Sequence, residues 1–397
     1  MAAVGLSEAD FGSHRVTRPT TTPGEHDSGS ARQLSKLMKP SRVLCIATLL
    51  AACAFTHHTQ AWDYEGHRTV NLLALSSLPT NFPAFVFKPE ARERIAFLSG
   101  EPDRWRNTPD LPLRHVNNLD HYFDMEDLAW LDLKPADVPH FRYLFTAHVY
   151  AKRKAHPERF PAFEQARNPD NTRELPGFLP WVLTEHYAKL KSAFSYLKTY
   201  EANVGSSEKP ATAGTADEIA NARQNIIAIM GTMGHFAGDA SQPLHTTRNY
   251  NGWVLGENPK GYTTRTSFHA WIDGGYLGKV GIDQAMLNAA MRPARPVWLD
   301  PAPKKRDDVF PEAMKFIEDQ FKLVEPLYQM EKDGKLSGTG EIGLQGKPFL
   351  HKQLAAGAQL LGDLWLTAWQ EAPEDTFLKS WLARRKIAHE KSAAPQK

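Results

Sequence analysis

The run His235-Phe-Ala-Gly-Asp239-Ala-Ser-Gln-Pro-Leu-His245, with His269-Ala-Trp-Ile-Asp273 after it, sets three imidazoles and two carboxylates at spacings of four, six and four. A histidine and an aspartate four apart share one face of a helix. Two such pairs with a histidine between them offer the nitrogen and oxygen donors that Zn²⁺ prefers. The pattern therefore reads as a hydrolytic metal site. Taken singly, each residue has an ordinary explanation. His235 would be a core histidine on an apolar helix, Asp239 a turn residue before Pro243, and His245 and His269 surface loop residues. Their joint order argues for metal.

Two further segments belong with this motif: Trp62-Asp-Tyr-Glu-Gly-His67, and Glu101-Pro-Asp103-Arg-Trp-Arg106 followed by Asp120-His121-Tyr122-Phe123-Asp124. With these added, the chain resembles the trinuclear-zinc superfamily that contains the single-strand-specific nucleases of the S-one/P-one type and the bacterial zinc-dependent phospholipases C. That family begins its mature chain with Trp and places a His shortly after it. It continues with an Asp, a His-aromatic-x-Asp run, His-x3-Asp-x5-His and His-x3-Asp/Glu. All of these elements occur here in order, from Trp62 to Asp273.

The resemblance implies three zinc ions. One would be held by Asp103, His121, His235 and a bridging Asp239. A second would take the amine and carbonyl of Trp62, with His67 and the same Asp239. The third would take His245, His269 and Asp273. Two ions sharing a carboxylate can share a water and lower its pKa toward neutrality, giving a bridging hydroxide for in-line attack on phosphorus. Asp103 is the implied orienter of the nucleophile and Arg106 the implied phosphate contact, its fork offering two parallel donors. Tyr122 and Asp124 match the nuclease positions that stack on a base and bond its edge. Stacking is open only to unpaired bases. Arg106 read alone is a solvated charge and Tyr122 a core aromatic. His115 competes with His121, but the His-aromatic-x-Asp context favours His121. His140, His148, His156, His186, His351 and His389 show no partner spacing and read as structural or exposed.

The match departs from the nucleases in places that bear on substrate rather than metal. Ser267 stands two residues before His269 where the nucleases carry Asn, and Ile272 precedes Asp273 where they carry Trp, with Trp271 displaced by one. The loop Asn249–Tyr262 also differs, and residues 125–175 have no counterpart in that family. These segments are expected to flank a substrate cleft. The leading expectation is thus an exported zinc phosphodiesterase, an endonuclease for single-stranded DNA or RNA that also acts as a 3′-nucleotidase. A phospholipase C-like enzyme releasing phospholipid headgroups is the alternative, and a non-catalytic zinc-binding surface protein the third reading. No obligate protein partner is indicated.

Composition bounds these readings. Of 47 basic and 45 acidic residues in the 397-residue chain, six and four precede Trp62, leaving 41 of each beyond it. A charge-balanced body lacks the broad basic face that duplex DNA requires, so a polyanion must be held locally. Both cysteines, Cys45 and Cys53, lie before Trp62, so the remainder has neither disulfides nor thiolate ligands. Residues 1–37 read as disordered or as an over-extended start. Residues 38–61 read as a secretory signal, with Lys39 and Arg42, the apolar run Val43–Phe55, and Thr59-Gln60-Ala61 before the cut. Leu50-Ala51-Ala52-Cys53 is a rival lipoprotein box that would anchor the chain at Cys53. Cleavage after Ala61 is preferred because only that cut frees the Trp62 amine for a metal.

Positioning these groups falls to helices. The periodicity predicts a mainly α single domain over 62–384, with metals held between helices. Helices are expected at 66–78, 178–201, 218–238, 267–276, 282–291, 310–331 and 349–371. An irregular insertion is expected at 125–175, a linker at Ser206–Ala216, a loop at Asn249–Thr266 and a flexible tail at 385–397.

Overall fold

The computed structural model describes residues 62–163, 166, 168–205, 213–298 and 308–393. The expectations for residues 1–61, and most of the 206–216 linker, lie outside them. The helices of six or more residues are α1 (Tyr64–Ser77), α2 (Pro89–Leu98), α3 (Glu101–Arg106), α4 (Leu111–Asn118), α5 (Arg142–Ala155), α6 (Leu179–Gly205), α7 (Ala213–Ser241), α8 (Gln284–Ala290), α9 (Phe310–Phe321), α10 (Val324–Lys332), α11 (Lys347–Glu371) and α12 (Thr376–Ala393). One isolated antiparallel bridge, Phe123 to Gly177, is the extent of strand pairing among the described residues. The protein is mainly α, as the periodicity predicts.

Helix α7 lies at the centre and packs on α1, α2, α6 and α11. Ile226, Met230, Met233, Ala237 and Ala240 are buried along it. Burial on this scale stabilises by roughly 25 cal/mol per Å² of apolar surface. The helix ends at Ser241 because Pro243 lacks an N–H and restricts the residue before it. Helix α1 starts under an Asp63 cap whose carboxylate accepts from Gly66 N at 3.0 Å, and it buries Val70, Leu73 and Ala74. Asn71 ties three helices together: its buried amide donates to Ile95 O of α2 (2.8 Å) and Gly231 O of α7 (3.0 Å).

Four boundaries differ from the sequence expectation. The 125–175 stretch contains the 14-residue helix α5, which buries only Phe145 and Val149 and so carries a weak apolar period. The stretch 310–331 breaks into α9 and α10, hinged at Lys322–Leu323. The chain from 385 continues α12 to Ala393. Trp271–Tyr276 is one turn of π-helix between two short α turns. No helix among the described residues is long and apolar enough to cross a membrane.

Candidate metal centre

The buried face of α7 presents His235 and Asp239 one turn apart, with His235 Nε2 3.2 Å from Asp239 Oδ2. His235 donates from Nδ1 to the Ser99 carbonyl at the end of α2 (2.7 Å). That bond leaves Nε2 as a lone pair, 2.9 Å from His121 Nδ1. Asp103, on α3, places Oδ1 3.8 Å from both His121 Nδ1 and His235 Nε2. His121 Nδ1 is also 3.0 Å from Asp239 Oδ2.

The other oxygen of Asp239 faces a different group. Oδ1 is 3.5 Å from His67 Nε2 and 3.7 Å from His245 Nδ1. His67 comes from α1 and can approach because α7 carries Gly238 there: a Cβ at that position would lie 2.7 Å from His67 Nδ1. Trp62 is fully buried beside it, donating its indole N–H to Gly238 O (2.9 Å) and to Ser241 Oγ (3.3 Å).

A third cluster forms after α7. His245 donates from Nδ1 to the His121 carbonyl (2.5 Å), and its ring meets His269 edge-on at 4.8 Å. His269 Nε2 lies 2.9 Å from Asp273 Oδ2 across the π-turn, a distortion that often marks functional positions. Thus three buried sets, Asp103/His121/His235, His67/His235/Asp239 and His245/His269/Asp273, each offer ligand atoms within 4.8 Å of one another. His235 belongs to two sets.

These residues fit metal ions on their own evidence. His67 Nδ1 and Nε2, His121 Nε2, His245 Nε2, both ring nitrogens of His269, Asp239 Oδ1 and Asp273 Oδ2 are buried without a hydrogen-bond partner. Each unsatisfied buried group costs about 1–3 kcal/mol. Eight together rival the ~5–15 kcal/mol by which a domain is stable, so a ligand must compensate them. Electrostatics agree. Burial takes His121 and His269 down to about 3, each pushed further by the Arg106 charge. Burial and His235 hold His67 well below its ordinary value. These imidazoles are neutral and able to ligate. Burial alone would raise Asp239, but the facing histidines keep it well below the carboxylate range. Burial pushes Asp273 well above it.

The third set borders a cavity of about 720 Å³ lined by His245, His269, Arg106, Tyr122, Asp124, Arg248 and Tyr250, among others. Arg106 Nε lies 2.9 Å from Asp103 Oδ1. Burial opposes ionisation of Asp103, yet the charges of Arg106, His235 and His121 hold its pKa low. Tyr122 and Asp124 sit on an extended segment stitched to its neighbours by Phe123 N to His245 O (2.9 Å), Asp124 N to Pro176 O (2.7 Å) and Met125 N to Thr246 O (3.0 Å). Gly177 allows this approach with a φ of +101°; a Cβ there would lie 2.0 Å from Tyr122 O. Burial, reinforced by the Asp127 charge, pushes Asp124 well above the carboxylate range.

All twelve residues singled out from the sequence therefore lie in or beside this centre. His115 does not: it hydrogen-bonds the Asp170 carbonyl at 2.6 Å, away from the clusters. His148, His186 and His351 each bond a backbone carbonyl, and His140 an exposed carboxylate. Ile272 and Trp271 do not flank the cavity. Ile272 is core, and Trp271 donates its indole N–H to Leu336 O (2.8 Å). Sequence reasoning missed the groups that hold the ligands. Gln242 donates to Asp273 Oδ1 (2.6 Å), Asn251 Oδ1 accepts from His269 N (3.0 Å), and Ser99 supplies a carbonyl. Only Gln242, three residues after Asp239 and three before His245, carried a positional hint. Neither a protein-family model nor a curated protein sequence matches the chain.

Proposed function

We propose that this protein is an exported zinc-dependent hydrolase of phosphoric ester bonds, acting on single-stranded DNA or RNA as an endonuclease and on 3′-nucleotides. One observation carries the reading: ligand side chains from segments far apart in sequence meet in buried sets, one of which borders through His245 and His269 a cavity also lined by Arg106, Tyr122 and Asp124. Donors limited to imidazole and carboxylate, without thiolate, suit zinc. Bound zinc supplies Lewis acidity and lowers the pKa of water.

The chain's own groups supply the rest. Asp103 and Arg106 hold each other at 2.9 Å, which aims a guanidinium into the cavity where a phosphoryl oxygen would lie. Tyr122 offers its ring face to an unstacked base, worth ~1–3 kcal/mol. Asp124, whose pKa burial raises, offers its carboxyl group to the base edge. Gln242 and Asn251 fix the Asp273 and His269 orientations. The reading entails export, since cleavage after Ala61 would free the Trp62 amine as a metal donor.

A phospholipid-headgroup reading draws on a separate observation. Leu111 and Val116 are exposed on α4, whose Arg114 and Asn118 line the cavity, so an apolar rim borders the site. The deciding experiment is a zinc count on purified protein with assays on single-stranded DNA, RNA, duplex DNA and phospholipid vesicles. Three ions, one per buried set, and cleavage of single strands are expected. Intact single strands across roughly pH 5–8, the range in which such catalytic groups titrate, sink the nuclease reading. Headgroup release from vesicles alone would favour the lipid reading. Bound zinc without any turnover would favour a non-catalytic metal protein.

A further inference from the structure

The stretch 125–175 builds one wall of the cavity, and a single row of side chains crosses it. Arg248, three residues after the ligand His245, bonds the Asp127 carboxylate through both Nε and Nη2 and lies 4.8 Å from the Trp130 ring. Trp130 meets Phe160 edge-on at 6.3 Å, and the Arg153 guanidinium lies 4.6 Å over Phe160. Arg248, Trp130, Phe160 and Arg153 thus form a row in which two adjoining rings carry a cation at each end.

The cations of this cavity are not equivalent. Arg106 faces Asp103, Arg114 faces Asp170 at 3.1 Å, and Arg248 faces Asp127. Among the described residues Arg153 makes no hydrogen bond or ion pair, although it lines the same cavity. Burial lowers its pKa; the charge of Glu174 opposes this, the like charge of Arg248 adds to it, and Asp127 opposes it more weakly. A partly desolvated guanidinium beside a second cation is stabilised by an anion, and its planar fork matches a phosphate. Of the candidate ligands only His245 and His269 line this cavity, and Arg153 belongs to none of the three sets, so an anion on Arg153 is held by other residues.

We infer that Arg153 forms a second phosphate subsite, holding a flanking phosphate of a polynucleotide whose scissile phosphate is at the metal sets. The inference rests on the phosphodiesterase reading above, and it makes Arg153 a specificity residue for chain substrates over single nucleotides.

The test compares the wild type with Arg153→Gln and Arg153→Lys, changes at a side chain that gives up no hydrogen bond or ion pair and loses only its contact with Phe160. Zinc-loaded protein is assayed on thymidylyl-thymidine, which has no flanking phosphate, and on a thymidine tetranucleotide. Arg153→Gln should lower kcat/KM on the tetranucleotide about tenfold, the effect of one lost charge-assisted hydrogen bond, and leave the dinucleoside within about twofold. Arg153→Lys should fall between. Binding of the tetranucleotide to chelator-treated protein, followed by fluorescence anisotropy, should weaken in parallel, with a salt slope smaller by about 0.7. Equal losses on both substrates, no loss on the tetranucleotide, or an unchanged salt slope would overturn the subsite. If the wild type cleaves neither substrate, the phosphodiesterase reading fails on its own. The binding arm then decides: weaker tetranucleotide binding by Arg153→Gln retains the subsite, and absent or unaltered binding ends it.

Discussion

The imidazole of His67 lies flat on that of His235, ring centroids 3.9 Å apart and planes inclined by 20°. The two rings come from different helices and address opposite oxygens of one carboxylate, Asp239, at 3.5 and 3.2 Å. Stacked imidazoles this close repel if both are protonated, so the pair disfavours two charged rings, and it is His67 whose pKa is held down. Asp239 is thereby the hinge between two ligand sets, and its charge serves both.

Asp239→Asn should release metal from both sets. Elemental analysis of the dialysed variant is expected to give at most one retained ion per chain, and phosphodiester cleavage should fall ~100-fold or more. Three retained ions would remove the bridging role.

Gly238→Ala tests the approach of α1 to α7 without deleting a ligand. Alanine is ~1 kcal/mol better than glycine inside a helix, so helix propensity favours the variant. Its Cβ would nonetheless meet His67 Nδ1 at 2.7 Å. Lower metal content with helical circular dichroism unchanged is the expected result; a variant that melts higher and keeps its metal contradicts the packing described here.

Gln242→Ala removes the donor that orients Asp273. Competition with a fluorescent chelator should show roughly 10–100-fold weaker affinity at one set only. Weakening of every ion alike would point to a general loosening of α7 instead.

Metal removal should expose the cost of the unsatisfied groups. Chelator-treated protein is predicted to melt at least ~5 °C lower, with recovery on adding zinc. An unchanged midpoint would mean that the buried nitrogens are satisfied by some other means.

His186, which is not a candidate ligand, gives a pH prediction. Its ring packs 5.2 Å from Phe236 and donates to Val182 O, and burial takes its pKa down to about 4. In the unfolded chain the value is about 6.5. Between these limits the unfolded state binds a proton that the folded state refuses, so the contribution is complete above about 6.5 and is lost as pH falls toward 4. Urea unfolding of metal-free protein at about pH 7 and 4.5 should show His186→Gln losing ~1–2 kcal/mol less than the wild type, an amount reduced for the ring's partial exposure. Equal losses would place the acid sensitivity elsewhere.

What the sequence determined by itself is whatever helical period and local spacing dictate. The 3.6-residue repeat placed α1, α6, α7 and α11 within a few residues of their ends, and Pro243 stopped α7 where a missing N–H requires it. Spacing of four put His235 with Asp239 and His269 with Asp273, because residues one turn apart share a face whatever surrounds them. Local pattern gave no access to the relations between segments. That His121 and not His115 joins the centre, that Asp239 turns its two oxygens to different histidines, and that Arg153 of α5 lines the cavity with Arg248 all follow from how helices pack. Gly238 and Asn71 set those distances by letting α1 and α2 close on α7, and a contact across more than a hundred residues leaves no periodic trace in the chain. Tertiary packing alone brought Gln242, Asn251 and Ser99 against the ligands, since backbone carbonyls and amide side chains become specific only once a partner stands opposite them.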